Sequence, residues 1–528
     1  MYMSFSHQQM MTDAMKPLGL SYFQLGFEET PLINVGGRLF FDLAHDLASP
    51  MGRRIALATM GKMDPLVLNA IKNLMKRKDF IESLAHDGKG FSSMSKGYLS
   101  WGLPIQAIKI YHNNDAAIVQ TLMSRNEASV RDLQQRIANL SGDELFAFII
   151  EAHKQLKEAI PQSMAVVYVG IYAVSWINKK MEKWLDEKSV ADSLSQSAAN
   201  NVTSEMGLAL LDVADVVRQY PVVIDYFHHA NNETFFEDLV KLECGNAVSK
   251  SVRAYLEKYG MRCSGEIDIT RPRWSEQPTA LVSMILSNIK SFEPGAHKII
   301  FKQGLREAKQ KEQDILNRLE QLPSGKQKTK KARKMISRLR NFVGYREYPK
   351  YIMVGQYWII KQALLKEAAK LVQKGVIREK EDIYYLSLEE LREAVRANRL
   401  DYSIITKRKE EHEVYEELTP PRVMTSEGEV ISGEYDTGNI PNSALPGVPV
   451  SSGTIEGRAR VILRMEDADI EQGDILVTAF TDPSWTPVFV SIKGLVTEVG
   501  GPDAPWCCYC QGIRSTCGRR RGKRHQSD

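Results

Sequence analysis

The sequence predicts a mainly α protein: a large helical region followed by a small, incomplete α/β unit. Three observations carry that prediction. Through most of residues 1–415, apolar residues recur at three- and four-residue spacing, the period of a helix with one buried face. Across 416–446 the chain turns rich in Pro, Gly, Ser and Asn (LTPPRVMTSEGEVISGEYDTGNIPNSALPG), the composition of a linker with room for one short hairpin. From 447 to 501 the period falls towards two, in short β-rich runs split by turns.

The elements follow in order. SVRDLQQRIANLSGDELFAFIIEAHKQLKEAI is amphipathic, and Pro161 is expected to close it. MAVVYVGIYAVSWI, Met164–Ile177, is an apolar run of 14 residues. A membrane span needs about 20, so the run reads as a buried helix. TSEMGLALLDVADVVRQYP predicts a helix capped near Thr203. REAKQKEQDILNRLEQLP and KTKKARKMISRLRNFV predict two helices joined at PSGKQ as an αα-hairpin. Lys328–Lys334 then lies on a solvated face. YWIIKQALLKEAAKLVQKGVI predicts a helix ending near Gly375. In the last unit GTIEGRARVIL, GDILVTAFT, TPVFVSI and GLVTEVGG all read as strands. No repeat stands out at periods of 20–50 residues.

A chain of 528 residues accommodates two to four domains. Its 69 basic and 65 acidic residues give a net charge of +4, a mixed surface with no footprint for nucleic acid. The N-terminus lacks a basic segment followed by an apolar one, so no signal peptide is expected. Only Cys244 and Cys263 precede residue 500, which suits a reducing cytoplasm. No membrane association is expected.

Three segments carry candidate site residues. YGMRCSGEIDITRPRWSEQP packs Arg262, Glu266, Asp268, Arg271 and Arg273 into twelve residues. Such charges are costly to bury unpaired. They form either an anion site, where guanidinium groups grip oxygens in pairs, or a structural ion-pair network. YREYPKY sets Arg346 and Lys350 four apart around Pro349, either at a phosphate or polar-ring site or on a solvated surface. Pro349 argues against a helix interior but is compatible with a first turn. HQQMMTDAM offers Gln8, Gln9, Met10 and Met11. Methionines adapt to large apolar ligands, and they also simply fill cores.

GVPVSSGTIEGRARVIL and GDILVTAFTDPSWTPVFVSIKGLVTEVGG resemble the swivelling phosphohistidine domain of phosphoenolpyruvate-utilising enzymes. The closest likeness is to the phosphoenolpyruvate synthase and rifamycin phosphotransferase branch. HQQMMTDAMKPLGLSYF, YGMRCSGEIDITRPRWSE, REYPKY and EKEDIYYLSLEEL resemble that branch's middle, substrate-binding domain. The resemblance implies a relay: an ATP-grasp domain uses ATP and Mg²⁺ to phosphorylate a carrier histidine, which passes the phosphoryl group to pyruvate or a rifamycin hydroxyl. The covalent intermediate splits one hard transfer into two, and positive charge does much of the rest. The candidate acceptor-binding residues are then Gln8, Gln9, Met10, Met11, Arg262, Glu266, Asp268, Arg271, Arg273, Arg346 and Lys350, with the five cations expected to converge on one cleft. The methionines and the large helical region favour the macrocycle over pyruvate.

The chain departs from the family pattern at both ends. It starts where the middle domain would start, and no phosphate loop or carboxylate set for ATP and Mg²⁺ is seen. After EVGG the family continues with a carrier histidine and a segment resembling HGAVIAREYGVPAVVGVENATK. Here the text is PDAPWCCYCQGIRSTCGRRRGKRHQSD, whose one histidine is His525. Read one base later, the codons of Pro505 to Gln526 can spell that family segment, starting with His-Gly at Pro505–Trp506. Residues 502–528 are therefore expected to be a frame-shifted, disordered tail. Metal binding by Cys507, Cys508, Cys510 and Cys517 is disfavoured, because their spacing is not that of paired CxxC units. No catalytic residue or metal ligand carries over. The chain is expected to be inactive alone. The alternative is a non-catalytic protein that binds a rifamycin-like ligand or docks on a separate ATP-grasp chain.

Overall fold

The computed structural model describes residues 1–8, 11–27, 32–54, 57, 64–84, 102–433, 447, 454–465, 470–499 and 516–519. They are mainly helical, with two small four-stranded sheets.

The first sheet was not legible as such in the helical pattern of the N-terminal region. Strands β1 (Tyr2–Ser4), β2 (Leu32–Val35) and β3 (Arg38–Asp42) pair antiparallel, in the spatial order β2-β3-β1. Helix α1 (Pro17–Gln24) follows β1 in the chain, with Pro17 in its first turn. The strands are too short, at three to five residues, to show a clear two-residue period.

The helical body comprises α2 (Ala117–Ile137), α3 (Gly142–Leu185), α4 (Val202–Val217), α5 (Gly245–Tyr259), α6 (Ala296–Glu320), α7 (Gly325–Phe342), α8 (Tyr348–Gln373), α9 (Leu388–Ala397) and α10 (Ser403–Glu417). Pro161 does not close a helix: α3 runs through it for 44 residues. Proline removes one backbone donor, and packing along α7 holds the rest of the helix in line. By length and composition α3 is the one helix among the described residues able to cross a membrane. Its Ala165, Val166, Val169, Ala173 and Ile177 are instead buried against protein.

The cap of α4 is Asn201 rather than Thr203: its side chain accepts from Ser204 N at 3.0 Å. Helices α6 and α7 form the expected αα-hairpin, and Lys330, Lys331, Arg333 and Lys334 are exposed on α7. α8 ends as predicted. Gly375 has φ +68°, its N–H reaches Val372 O at 2.9 Å, and Val376 N reaches Leu371 O at 2.9 Å, the paired bonds of a Schellman stop.

The stretch expected to be a linker contributes structure. β4 (Val423–Met424) pairs with β1 and completes the first sheet. A Met424–Val430 bridge, with Thr425 N on Glu429 O at 2.9 Å, makes the expected hairpin. Beyond it, β5 (Ala459–Val461), β6 (Ile475–Thr478), β7 (Gly494–Thr497) and β8 (Thr516–Arg519) form a parallel sheet in that order. β8 lies within the tail expected to be disordered, and it pairs with β7 from Gly494↔Thr516 to Thr497↔Arg519. The remainder of 502–528, including three of its four cysteines, lies outside the described residues.

TPVFVSI is not a strand. Thr486–Phe489 is a short helix, α11, with Pro487 in its first turn. Proline cannot donate to a strand ladder but suits a helix start. α11 packs on α4. Trp485, Val488 and Phe489 join Met206, Leu210 and Val213 in one buried apolar cluster, so the C-terminal unit and the helical body share a core.

Candidate functional site

The site is built on the loop that follows α5. Residues 260–277 carry six charged side chains, four of them fully buried: Arg262, Glu266, Asp268 and Arg273 are each at most 1% exposed. Burying that many charges demands partners. Arg262 Nη1 lies 2.6 and 2.8 Å from the two Glu266 carboxylate oxygens. Lys350, in the first turn of α8, places Nζ 3.3 Å from Glu266 Oε1. Burial alone would raise the Glu266 carboxyl, but Arg262 and Lys350 hold it below its ordinary value.

Arg273 staples the loop. Its guanidinium donates to Glu266 O and Asp268 O, both at 2.9 Å, and to Cys263 Sγ at 3.1 Å. Lys361 of α8 donates to Arg271 O at 2.9 Å and Glu276 at 2.6 Å. Asp268 accepts from Thr270 N and Oγ1. Arg273, Lys361 and Asp268 are thus committed to holding the backbone.

Arg262 differs. Its Nε and Nη2 have no hydrogen-bond partner among the described residues, although the side chain is wholly buried. It sits over the Tyr351 ring at 5.5 Å. Tyr351 belongs to a run of aromatics, Tyr345, Tyr348 and Tyr351, whose successive centroids are 5.3 and 5.7 Å apart. Tyr345 and Tyr348 are buried, so YREYPKY is not a solvated surface. Pro349 falls in the first turn of α8.

Among the described contacts the five candidate cations take different partners. Arg262 and Lys350 meet at Glu266, with Arg273 behind them. Arg271 turns to Asp13, Nη2 to Oδ2 at 2.7 Å, and Arg346 lies 3.7 Å from Glu347. Met11 is core, 2% exposed. A Cβ on Gly265 would lie 3.3 Å from its sulfur, so the N-terminal segment does abut the loop. Gln8 ends a short helix, Phe5–Gln8, while Gln9 and Met10 lie outside the described residues. An open groove of about 550 Å³, lined by Glu389, Glu393, Arg399 and Asp401, shares no residue with the cluster.

Sequence reasoning missed Asp482 and its neighbours. Asp482 Oδ2 accepts the Gly265 N–H at 2.6 Å, and its other oxygen accepts Ser484 N at 2.9 Å and the Ser484 hydroxyl. Burial, and then the Glu266 charge, push its carboxyl above the ordinary range. The signal was present in TDPSWTP: an Asp before Pro, with Ser two residues on, is a turn-capping pattern. The arrangement therefore presents a buried guanidinium with open donors, an ammonium, and a carboxylate between them that an incoming anion could displace. That suits an oxyanion such as a phosphoryl group.

Comparison with known proteins agrees. A family model described as "Rifampicin phosphotransferase fourth domain" matches residues 162–347, which include the cluster's loop. A second, "PEP-utilising enzyme, mobile domain", matches 470–505. The rifampicin phosphotransferase of Bacillus subtilis (strain 168) is 55% identical over 95% of this chain and 57% of its own length. That of Bacillus cereus is 54% identical over the same shares. One from Streptomyces sviceus is 47% identical over 95% of the chain and 56% of its own length. The chain thus spans somewhat more than half the length of these relatives. Both family models and these relatives thus agree on what the chain is similar to: rifampicin phosphotransferases, among the PEP-utilising enzymes.

Proposed function

We propose that this chain is the acceptor-binding and carrier-docking portion of an ATP-dependent phosphotransferase whose acceptor is a rifamycin hydroxyl. The 55% identity to a rifampicin phosphotransferase across 95% of the chain carries the reading. The cluster supports it chemically. A phosphoryl group in transfer spreads negative charge over three oxygens. Arg262 has donors to spare, and Lys350 can exchange Glu266 for such an oxygen. Fixed donors in a dry site stabilise that charge without reorganising.

The resemblance also implies ATP and Mg²⁺. Among the described residues no group of three or more His, Cys, Asp or Glu side chains could hold a metal ion. The carrier histidine is likewise not found after Gly501, where His525 stands among Arg and Lys. We infer that the tail is out of frame and that the chain as written binds the acceptor without phosphorylating it. The same observation favours the second reading, a rifamycin-binding protein without turnover.

Titrating rifampicin into the chain should give saturable binding. Incubation with ATP, Mg²⁺ and rifampicin should give no phosphorylated product by mass spectrometry. Absence of binding would sink the acceptor reading. Product formation, or acid-labile phosphate on the chain, would sink the missing-carrier reading.

A further inference from the structure

We infer that Asp482 is a docking latch: its carboxylate seats the C-terminal unit on the 260–277 loop by accepting the Gly265 N–H, and the unit is released when that bond is exchanged for water. The inference rests on the reading of the C-terminal unit as a mobile carrier.

The geometry on both sides suits a reversible, directional contact. Asp482 is aimed before it docks. One oxygen is tied to Ser484 within its own turn, Pro483–Trp485, which leaves Oδ2 for Gly265. On the receiving side Gly265 adopts φ +68°, a conformation side chains resist, and the added crowding of Met11 leaves little room for a Cβ. The loop thereby presents a bare N–H at its surface. Residues 265 and 482 are 217 positions apart in sequence, so nothing local holds the bond.

Most of the interface around the latch is apolar. Trp485, Val488 and Phe489 are buried with residues of α4, and such burial is non-directional. Other polar contacts across it include Ser287 Oγ on Ile470 O at 2.7 Å and Arg422 Nη2 on Glu498 O at 2.8 Å. Neither lies at the cluster. The Asp482 bond fixes the register of the unit against Glu266 and Lys350, the two charged groups that bear on it from the helical body. Glu266 repels the latch and Lys350 attracts it. An anion that drew Lys350 away would therefore weaken the latch at the moment the cluster fills.

Hydrogen exchange of the Gly265 amide reads the latch directly. In Asp482→Ala, exchange at Gly265 and across Thr486–Thr497 should rise by about tenfold or more, the loss expected for a hydrogen bond to a charged group. Amides of α5 should keep their native protection. Asp482→Asn has one acceptor oxygen for two backbone donors, the Gly265 and Ser484 N–H groups, so it should restore only part of the protection. The latch is overturned if Asp482→Ala leaves Gly265 protected. It is also overturned if Gly265 opens but Thr486–Thr497 does not, which would reduce the bond to a local one, or if α5 loses protection equally, which would make Asp482 a general structural residue. Failure of rifampicin to bind would remove the acceptor reading and leave each of these outcomes readable.

Discussion

The helical body and the C-terminal unit reach stability by different routes. In the body, local signals are mutually consistent. Ser387 and Glu390 form a complete capping box on α9, Asn201 caps α4, and the loop under the cluster is stapled by Arg273 and Lys361. In the C-terminal unit the strands are three or four residues long. Thr478, Thr481, Ser491 and Thr497 bury hydroxyls that have no partner among the described residues, and the apolar anchor Trp485 rests in a core shared with the helical body. A small sheet must cover its apolar face with something; here α4 is part of the cover. The body should therefore stand without the unit, and the unit should depend on the body.

The largest test of that contrast is Arg273→Ala. It removes three donors from a side chain with no exposure and leaves Glu266 less compensated. A loss of about 3–5 kcal/mol is expected, as for breaking a buried charged network, and thermal unfolding by circular dichroism should show the helical body melting early. A change below about 1 kcal/mol would mean that the loop does not need its staple. Trp485→Ala comes next. It should cost about 3–4 kcal/mol of core burial, borne by the unit: proteolysis within 454–499 should accelerate while the helical transition stays in place. If both regions melt together at a lower temperature, they are one cooperative unit and the contrast fails.

A third test separates the two by pH. His153 on α3 is buried between Tyr22 and Tyr357. Burial first, and then Lys157, lower its pKa from 6.5 to about 4. An imidazole whose folded pKa is depressed stabilises the fold fully above its unfolded value. That stability is lost as pH falls from about 6.5 towards 4, because the unfolded chain binds the proton first. The loss should approach about 3 kcal/mol, at about 1.4 kcal/mol per pKa unit. His153→Gln should flatten the pH dependence of the helical transition. An unchanged slope would remove His153 as its source. The smallest expected effect is Ser387→Ala, which should cost about 1 kcal/mol through the lost cap, seen as a modest shift of the denaturant midpoint for the helical body alone.

Legibility in the sequence divides along the same line. The αα-hairpin of α6 and α7 and the stop at Gly375 were readable, because a helix needs only neighbours three, four or five residues away. The strands β1 to β4 were not, because runs of two to five residues carry almost no period and their partners lie far off in sequence. TPVFVSI was misread for a related reason. Its β-branched residues favour a strand, while Pro487 and the surface of α4 decide for a helix. Within the site, Arg262, Glu266 and Lys350 were nominated by residue type. Which cations would meet could not be, since Arg271 is claimed by Asp13 from 258 residues away.

By itself, then, the sequence determined the helical body, the family resemblance and a charged loop suited to an anion. It could do so because periodicity, caps and residue chemistry are local properties. Only the tertiary structure decided that Arg262 keeps two open donor groups while both Nη groups of Arg273 are spent on the loop, that Arg271 pairs with Asp13 and Arg346 with Glu347, and that Asp482 closes on Gly265. Those outcomes depend on which distant groups arrive first at each buried charge, and desolvation leaves none of them free to remain unmatched without cost.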